Sequence, residues 1–481
     1  MRSGTPSPTE VAVVGAGAVG LTLAARLAQH GVRVQVFEAE ERRERIGSRA
    51  ICMQRETLEI WARIGVGEEI ARRGVQWTVG RTYFRGKLLF EVHLPEGDEH
   101  FPPFVNISQS EVEERLEARL ADLGVAVHRG HRLTAINQEA EAVAMTCETP
   151  DGVVEHRAEY LVGTDGAHSS VRHAADIGFS GYTFDDRFLI ADVRADLPFT
   201  NERHFHFDPP WNPGRQVLIH PQPDGVWRID WQVSPDTDAD EELASGRLDL
   251  RVRQVIGADR PYELVWMTAY RFSQRLADAF RVGRVFLAGD AAHVMSPFGA
   301  RGLNSGVADA ENLAWKLARV LRHGAPDGLL DTYESERRGA ALENLAATEA
   351  TMRFMAPHGP LRRGWRNFVL RMAPRAAWFR RRVNSGRLAE PARYGTSPIV
   401  APGAGHGAVV RDRSLPDGRR LRDALGAGWT LVTPVPPREL PPDVVMLEIP
   451  GLHRALLVRP DGYVAASAEP EGASGLARRV V

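Results

Sequence analysis

The feature that most constrains this chain lies near its N-terminus, where Val11-Ala-Val-Val14 runs into Gly15-Ala-Gly-Ala-Val-Gly20 and then into Leu21 to His30. A short apolar run, three glycines spaced G-x-G-x-x-G and a stretch of good helix formers predict strand, tight turn and helix, with Gly31 closing the helix. Val32-Arg-Val-Gln-Val-Phe37 then alternates with period two and ends at Glu38, 23 residues after Gly15. Strand, helix and strand in that space form a parallel crossover unit, which commits the chain to an α/β fold with a doubly wound sheet. In such a turn Gly15 allows the bend, Gly17 lets a pyrophosphate approach the backbone, and Gly20 lets helix and strand pack closely. The helix N-terminus offers unpaired N–H groups to phosphates, and Glu38 can accept hydrogen bonds from an adenosine ribose. The competing reading is an ordinary β-α turn that holds no ligand.

Downstream the texture changes twice. From about Phe188 to Val233, short alternating runs (Arg203-His-Phe-His-Phe207, Gln216-Val-Leu-Ile-His220, Val226-Trp-Arg-Ile-Asp-Trp231) are broken by Asp-Pro-Pro and Pro-Asp-Gly and predict an antiparallel meander, closed by Tyr262 to Ala269. His204, His206 and His220 read at least as well as plain sheet residues as they do as site residues. Arg284-Val-Phe-Leu-Ala288 is again a buried apolar run, so the α/β unit is interrupted by the β-rich one and then resumed. Helices are expected over Arg55 to Arg63 and Ser110 to Leu123. After about Glu334 come helical, Arg-rich segments to about Arg387. Thr396 to Gly407, rich in Pro and Gly, reads as a linker, and short strands follow at Trp429 to Val432, Val444 to Leu447 and Ala455 to Val458. A length of 481 residues agrees with two or three domains.

Composition removes several classes of function. A net charge of −2 gives no field to recruit nucleic acid, and no apolar run approaches the ~18 residues of a membrane span. Cys52 and Cys147 belong to no ligand or dithiol spacing, which argues against a disulfide framework or a zinc site and fits a reducing, cytoplasmic setting. The Arg-rich stretch Arg362 to Arg387 carries Trp365, Phe368, Trp378 and Phe379. It is read as a helix whose rings dock on a domain while its arginines stay solvated, in preference to a nucleic-acid or membrane surface.

Two further motifs sit directly after apolar strands. Gly163-Thr-Asp-Gly-Ala-His-Ser-Ser-Val-Arg172 follows Tyr160 to Val162, although an Asp-Gly after a strand is as often a plain turn. Gly289-Asp290-Ala-Ala-His-Val-Met-Ser-Pro-Phe-Gly-Ala-Arg-Gly-Leu-Asn304 follows Arg284 to Ala288. It leads into a helix whose apolar stripe is Leu303, Val307, Ala310, Ala314, Leu317 and Leu321. The start of that helix favours negative charge. His293, near Asp290, is read as structural in preference to a base.

These three motifs, in this order and at these separations, resemble the FAD-dependent aromatic hydroxylases, the single-component flavoprotein monooxygenases of the para-hydroxybenzoate, 3-(3-hydroxyphenyl)propionate and phenol hydroxylase type. The resemblance spans about Val11 to Arg338. It implies a Rossmann-like FAD-binding domain over 8–181 and 273–345, interrupted by an antiparallel β-sheet substrate domain over 182–272. A helical segment over 346–395 and a C-terminal thioredoxin-like domain over 396–481, here without cysteine, would complete the chain.

On the residues, the resemblance implies non-covalent FAD with its ADP half on Gly15, Gly17, Gly20 and Glu38. Arg49 and Gln109 match positions at the pyrophosphate and ribityl region. Asp165 would serve FAD and the visiting NADH or NADPH, and Asp290 the ribityl hydroxyls. Pro297, Gly302, Leu303 and Asn304 would border the flavin ring, where a helix N-terminus stabilises the anionic reduced form. Arg228 is expected beside the flavin and His220, Gln222 and Asp230 along the aromatic pocket, which makes Arg228, His220 and Asp230 the catalytic candidates. The Ser-x-Arg pair that grips a benzoate in that type reads His220-Pro-Gln222 here, so benzoate is not implied. The implied reaction is hydroxylation of a phenolic or polycyclic aromatic compound with NAD(P)H and O₂ through a flavin C4a-hydroperoxide. No metal, nucleic acid or membrane takes part, and the enzyme would be cytoplasmic and a homodimer. Flavin-dependent epoxidation or another oxidation on the same scaffold, and a FAD-binding protein without turnover, are the alternatives.

Overall fold

The computed structural model describes residues 9–479 apart from 44–49, 95–98, 200, 298, 356, 358, 376–389, 416 and 438. The N-terminal texture becomes the strand Thr9–Val14, the helix Ala18–Gln29 and the strand Val34–Glu38, the two strands pairing in parallel with Val11 opposite Val34. Gly152–Gly163 pairs in parallel on the other side of Thr9–Val14, followed by Val285–Leu287, while Val127–Arg129 extends the sheet beyond Val34–Glu38. The strands that precede the three motifs are therefore adjacent and parallel. Their loops emerge together at the carboxyl ends, where open α/β sheets bind ligands. Buried Val11, Val13, Leu21, Leu161, Phe286 and Leu313 fill the core beneath. The two expected helices form as Arg55–Ile64 and Gln109–Asp122.

The second sheet has the spatial order His293–Val294, Glu263–Ala277, Phe179–Arg194, Val226–Val233, Gln216–Pro221, Glu202–Phe207, Val79–Phe84, Lys87–His93. The meander matches the sequence reading, but the last two strands do not belong to it in sequence. The hairpin Val79–Phe84/Lys87–His93 comes from far upstream and pairs in parallel with Glu202–Phe207, Tyr83 opposite His206. Its side chains are mostly half-buried or exposed, so it carries no alternating apolar signal. One face of this sheet is filled by Leu189, Ala191, Val217, Ile229 and Trp231 packed against Leu248 and Val252 of the helix Arg247–Ile256. The other face turns toward the α/β half.

The C-terminal strands form a mixed four-stranded sheet ordered Val444–Glu448, Trp429–Thr433, Ala455–Val458, Val464–Ala468, with the first pair parallel and the rest antiparallel. It is seated on the helices Gly302–His323 and Gly328–Met355 by a buried ionic cluster. Glu336 accepts from Lys316 Nζ (2.7 Å), Ser397 Oγ (2.5 Å) and Arg459 Nη1 and Nη2 (2.6 and 2.8 Å). The stretch expected to be a linker is stitched to this sheet: Ala401 N donates to Ala465 O (2.8 Å) and Gly407 N to Val464 O (2.8 Å). Gly407 reflects close packing, since a Cβ there would stand 2.5 Å from Gly395 N.

The Arg-rich helix Pro360–Met372 reverses its expected orientation. Trp365 and Phe368 stay 50% and 47% exposed, while Arg366 is buried and donates to Met355 O. That carbonyl ends the helix Gly328–Met355, where a cation is favoured by the unpaired carbonyls, so the guanidinium wins the buried position over the rings. Trp378 and Phe379 lie outside the described residues. No helix among the described residues is long and apolar enough to cross a membrane.

Candidate active site

The glycine turn is built by the backbone. Gly15 has φ +108°, and a Cβ there would stand 2.6 Å from Thr164 O; on Gly20 it would stand 2.0 Å from Gly15 O and 2.5 Å from Thr164 Oγ1. These two glycines are demanded by the fold itself. Gly17 differs, because a Cβ there would meet only Glu113 Oε1, at 3.6 Å. What Gly17 leaves open is the approach to the N-terminus of Ala18–Gln29. Around that approach Glu38 accepts from Ala16 N–H (2.7 Å) and Glu40 N–H (3.0 Å), while Glu113 accepts from Ala18 N–H (3.1 Å) and Gln109 Nε2 (2.8 Å). Burial raises the Glu113 pKa against the hydrogen bonds from Gln109 and Ala18. An open helix start, an acid at the end of the second strand and an amide at the mouth fit the ADP half of FAD.

The second motif is tied to the third. Asp165 accepts from Ser169 Oγ (2.5 Å) and Val171 N–H (3.2 Å), so its carboxylate closes the turn into Ser170–Ala174, and burial raises its pKa. Arg172 then donates to Ala291 O (3.0 Å) and Ala167 O (2.9 Å). Gly289 and Gly306 press against the first helix: a Cβ on Gly306 would stand 2.6 Å from Val19 Cγ2 and 3.0 Å from Gly289 Cα. Asp290 is exposed between buried Gly289 and Ala291, and a Cβ on Gly302 would stand 4.0 Å from its Oδ1. The Asp290 carboxylate and the start of the helix Gly302–His323 thus face one space, with Leu303 half-buried and Pro297 exposed beside it.

Two buried groups hold this loop. Asp309 accepts from Gly289 N–H (3.0 Å), Arg337 Nε (2.6 Å) and His293 Nε2 (2.6 Å). Burial alone would raise the Asp309 pKa, but His293 and Arg337 keep it below the ordinary value. The Asn304 side chain is fully engaged: Oδ1 accepts from Gln54 N–H (2.8 Å) and Thr57 Oγ1 (2.6 Å), and Nδ2 donates to Cys52 O (2.9 Å) and Ala300 O (2.6 Å). At Asn304 it is therefore the backbone that is left to face a ligand.

On the open face of the second sheet the cross-strand rows are explicit. His220 lies opposite Arg228, Arg228 opposite Asp192, and Asp192 opposite Trp266; the next row is Phe205, Leu218, Asp230, Ile190 and Thr268. Paired residues share a face, so Arg228, His220 and Asp230 are brought together. Arg228 is 2% exposed and grips Asp192 with Nε (2.8 Å) and Nη2 (2.7 Å), and Gln222 Nε2 also reaches Asp192 (2.9 Å). The Arg228 charge is matched by that carboxylate. His220 Nδ1 and Asp230 Oδ1, by contrast, are buried with no hydrogen-bond partner among the described residues. Burial lowers the His220 pKa strongly, helped by Arg203 and Arg228, and burial pushes Asp230 up to about 7 against the pull of Arg228 and Arg203. His204 and His206 belong to the opposite face, His204 meeting Glu202 (3.1 Å) and His206 stacked on Tyr83 (4.5 Å between ring centres).

The two halves meet at the strand Cys52–Gln54. Cys52 pairs with Asn106, whose Nδ2 donates to Pro221 O (2.9 Å) next to His220, while Asn304 holds Cys52 O on the other side. Sequence reasoning missed Asp192, Asn106, Arg203 and Glu113. Glu113 had a signal, since it stands one helical turn after Gln109, and so did Asp192, an acid inside an apolar strand run. Arg49 lies outside the described residues.

Comparisons with known proteins give the family of the chain. The FAD binding domain family model matches residues 8–348. The 3-(3-hydroxy-phenyl)propionate/3-hydroxycinnamic acid hydroxylase of Mycolicibacterium smegmatis is 31% identical over 441 residues, covering 89% of this chain and 77% of the relative. The rifampicin monooxygenase of Streptomyces venezuelae is 32% identical over 491 residues, 96% of each chain. The solved anhydrotetracycline hydroxylase from Streptomyces rimosus superposes with a TM-score of 0.77 at 28% identity, covering 98% of this chain and 99% of that one. With the glycine cradle, the Gly289–Asp290 loop and the interposed β-sheet in place, the chain belongs to the FAD-binding-domain family of FAD-dependent aromatic hydroxylases and is a flavin-dependent monooxygenase.

Proposed function

We propose that the chain hydroxylates a phenolic or polycyclic aromatic compound, with NADH or NADPH as hydride donor and O₂ as oxygen source. The observation that carries this reading is the short bridge Asn304, Cys52, Asn106, Pro221, which sets the polar trio Arg228, His220 and Asp230 close to the start of the helix Gly302–His323. FAD would lie with its ADP half on Gly15, Gly17, Gly20 and Glu38, pass Gln109, Asp165 and Asp290, and end against Pro297, Gly302, Leu303 and Asn304. Bound and reduced, FAD supplies the activation of O₂.

The chain's own residues do the rest. Phe188, Phe205 and Leu218 offer an apolar bed for the aromatic ring and keep water from it. His220, held neutral by burial, has Nδ1 free to accept a hydrogen bond from a substrate hydroxyl. Asp230, whose pKa is pushed up to about 7, suits a group that takes the hydroxyl proton at Oδ1 and leaves the ring electron-rich. Arg228, locked on Asp192, fixes the floor on which both stand.

A screen of phenols and fused-ring phenols for stimulated NADH or NADPH oxidation tests the proposal, with the product mass read for a gain of one oxygen atom. Stimulated oxidation that yields only hydrogen peroxide across the whole panel overturns it. We take the protein to work in the cytoplasm as a homodimer with a cysteine-free thioredoxin-like C-terminal domain. Cell fractionation, sedimentation and comparison of the isolated fold test those three points.

A further inference from the structure

The Gly289–Asp290 loop is held from behind by Asp309, and Asp309 in turn by Arg337, so whatever fixes Arg337 bears on the cofactor. Its guanidinium is 2% exposed and engaged on three edges. Nε donates to Asp309 Oδ1 (2.6 Å), Nη2 to Ser305 O (3.1 Å) and Ser305 Oγ (3.3 Å), and Nη1 to the Tyr394 hydroxyl (2.6 Å). The first two edges grip the α/β half, at the loop and at the start of the helix Gly302–His323. The third does not. Tyr394 lies just before the stretch expected to be a linker, and the C-terminal sheet holds it: its N–H donates to Gly407 O (2.7 Å), and its ring is stacked on Tyr463 with 4.3 Å between centres. Arg459 lies over both rings, 5.1 and 5.6 Å from their centres. The Tyr463 hydroxyl donates to Glu56 Oε1 (3.0 Å) on the helix Arg55–Ile64. The residue next to Arg337 provides a contrast. Glu336 binds the same segment through Ser397 and the same sheet through Arg459, yet none of these partners is on the Gly289–Asp290 loop.

Resting on the placement of FAD proposed above, we infer that Tyr394 is a positioning residue for the cofactor: its hydroxyl, set by the C-terminal sheet, fixes the Arg337 fork and through Asp309 and Ser305 fixes the Gly289–Asp290 loop and the helix start beside it. A planar guanidinium pinned on three edges cannot turn, whereas one released at Nη1 keeps a buried donor short of a partner and is drawn away from Asp309 and Ser305. The C-terminal unit then serves the flavin through packing and hydrogen bonds, with no redox group of its own. A supporting shell of this kind decides how well a site is preorganised.

Fluorescence titration of the deflavinated full chain with FAD tests this. Tyr394→Phe keeps the stacked ring and removes the hydroxyl, and is expected to weaken FAD binding roughly 3- to 30-fold, the range over which a network residue without a ligand contact modulates affinity. Ser397→Ala removes a hydrogen bond from the same segment to Glu336 and should leave FAD affinity within about twofold of wild type, while thermal unfolding of the apoprotein reads a loss of stability in both variants. The double variant Asp290→Ala/Tyr394→Phe should bind FAD more tightly than the product of the two single losses allows, because both changes act through one loop. Should Tyr394→Phe fail to fold, Tyr463→Leu, which withdraws the ring behind Tyr394 and leaves its hydroxyl, is expected to weaken FAD binding in the same direction by at least about threefold. A weakening of less than about threefold in Tyr394→Phe, an equal weakening in Ser397→Ala, or losses that multiply in full in the double variant overturn the inference. If Asp290→Ala weakens FAD binding and Tyr394→Phe does not, only the role of Tyr394 falls; if neither does, the placement of FAD falls with it.

Discussion

The turn around Gly15 and Gly20 and the open face of the β-sheet would hold their proposed ligands in opposite ways. At the turn the recognising groups would be backbone N–H groups, and the side chains nearby either vanish into glycine or carry local hydrogen bonds, as Glu38 does in accepting from Ala16 and Glu40. On the sheet they would be side chains drawn from separate strands, some with buried polar atoms that find no partner among the described residues. A cradle made of backbone depends on spacing along one short segment and tolerates little change. A floor made of side chains depends on cross-strand register and on which charges find partners, so its chemistry can shift while its fold persists. That contrast predicts that substitutions at the turn act on folding or on cofactor retention, whereas substitutions on the sheet separate into those that break a closed pair and those that retune an open one.

The largest effect is expected where a closed pair on the sheet is broken. Asp192→Ala leaves Arg228, 2% exposed, without its carboxylate, and removing one partner of a buried pair costs on the order of 3–5 kcal/mol. Urea denaturation of the purified variant measures it, with Asp192→Leu/Arg228→Met as the apolar replacement that should recover most of the loss. A single-variant loss below about 1 kcal/mol would show that Arg228 is not locked in this way and would erase the distinction between closed and open pairs.

Next comes Asp290, exposed at the mouth of the third motif. If its carboxylate accepts hydrogen bonds from the ribityl chain, Asp290→Ala loses a charge-assisted contact of about 1.5–3 kcal/mol, a roughly 10- to 150-fold weakening of FAD binding. Fluorescence titration of the apoprotein with FAD reads this directly. Unchanged affinity would move the flavin away from the space that Asp290 shares with Gly302.

The same contrast explains what could be read in advance. The parallel order of the α/β half follows from apolar runs and glycines that lie within a few residues of one another, so strand, turn and helix were all legible around Gly15 and Gly289. The floor was legible only in part. Alternation set Arg228 and Asp230 on one side of a strand, yet nothing in the sequence says that Asp192, on another strand, takes the Arg228 charge while His220 Nδ1 and Asp230 Oδ1 find no partner among the described residues. The hairpin Val79–Phe84/Lys87–His93 escaped for a related reason: it lies on a half-exposed edge, and its partner Glu202–Phe207 is distant in sequence. The Arg-rich helix was misjudged because pattern alone does not reveal that a helix end, Met355 O, waits to bind a buried guanidinium.

Within the turn, two glycines three residues apart should fail differently. A Cβ on Gly20 would collide with the backbone oxygen of Gly15 at 2.0 Å, so Gly20→Ala should cost about 1–3 kcal/mol or more in the apoprotein itself. Gly17→Leu should leave the apoprotein folded, since only Glu113 Oε1 lies near, while excluding the pyrophosphate and emptying the site. Thermal unfolding of both apoproteins, together with flavin absorbance after incubation with FAD, separates the two. Equal destabilisation would mean that Gly17, like Gly20, serves packing and not a ligand.

The finest probe of the open pair is the pH response of Asp230. Its carboxyl is raised to about 7 by burial in the folded chain, against an ordinary value of 3.8. Between those two pH values the folded state holds a proton that the unfolded state has released, so this group's contribution to stability is complete below about pH 4 and declines as pH rises toward 7. Asp230→Asn removes that decline. Relative to wild type the variant should show no difference near pH 3.5, a gain on the order of 1 kcal/mol at pH 5, and a larger gain that levels off above pH 7. In turnover the same substitution acts the other way: with no group to take the hydroxyl proton, NAD(P)H oxidation should continue while product falls and hydrogen peroxide rises. A stability difference that stays flat with pH would mean that Asp230 is ionised in the folded chain like an ordinary surface acid. Full coupling with that flat profile would leave His220 as the polar atom that the substrate meets.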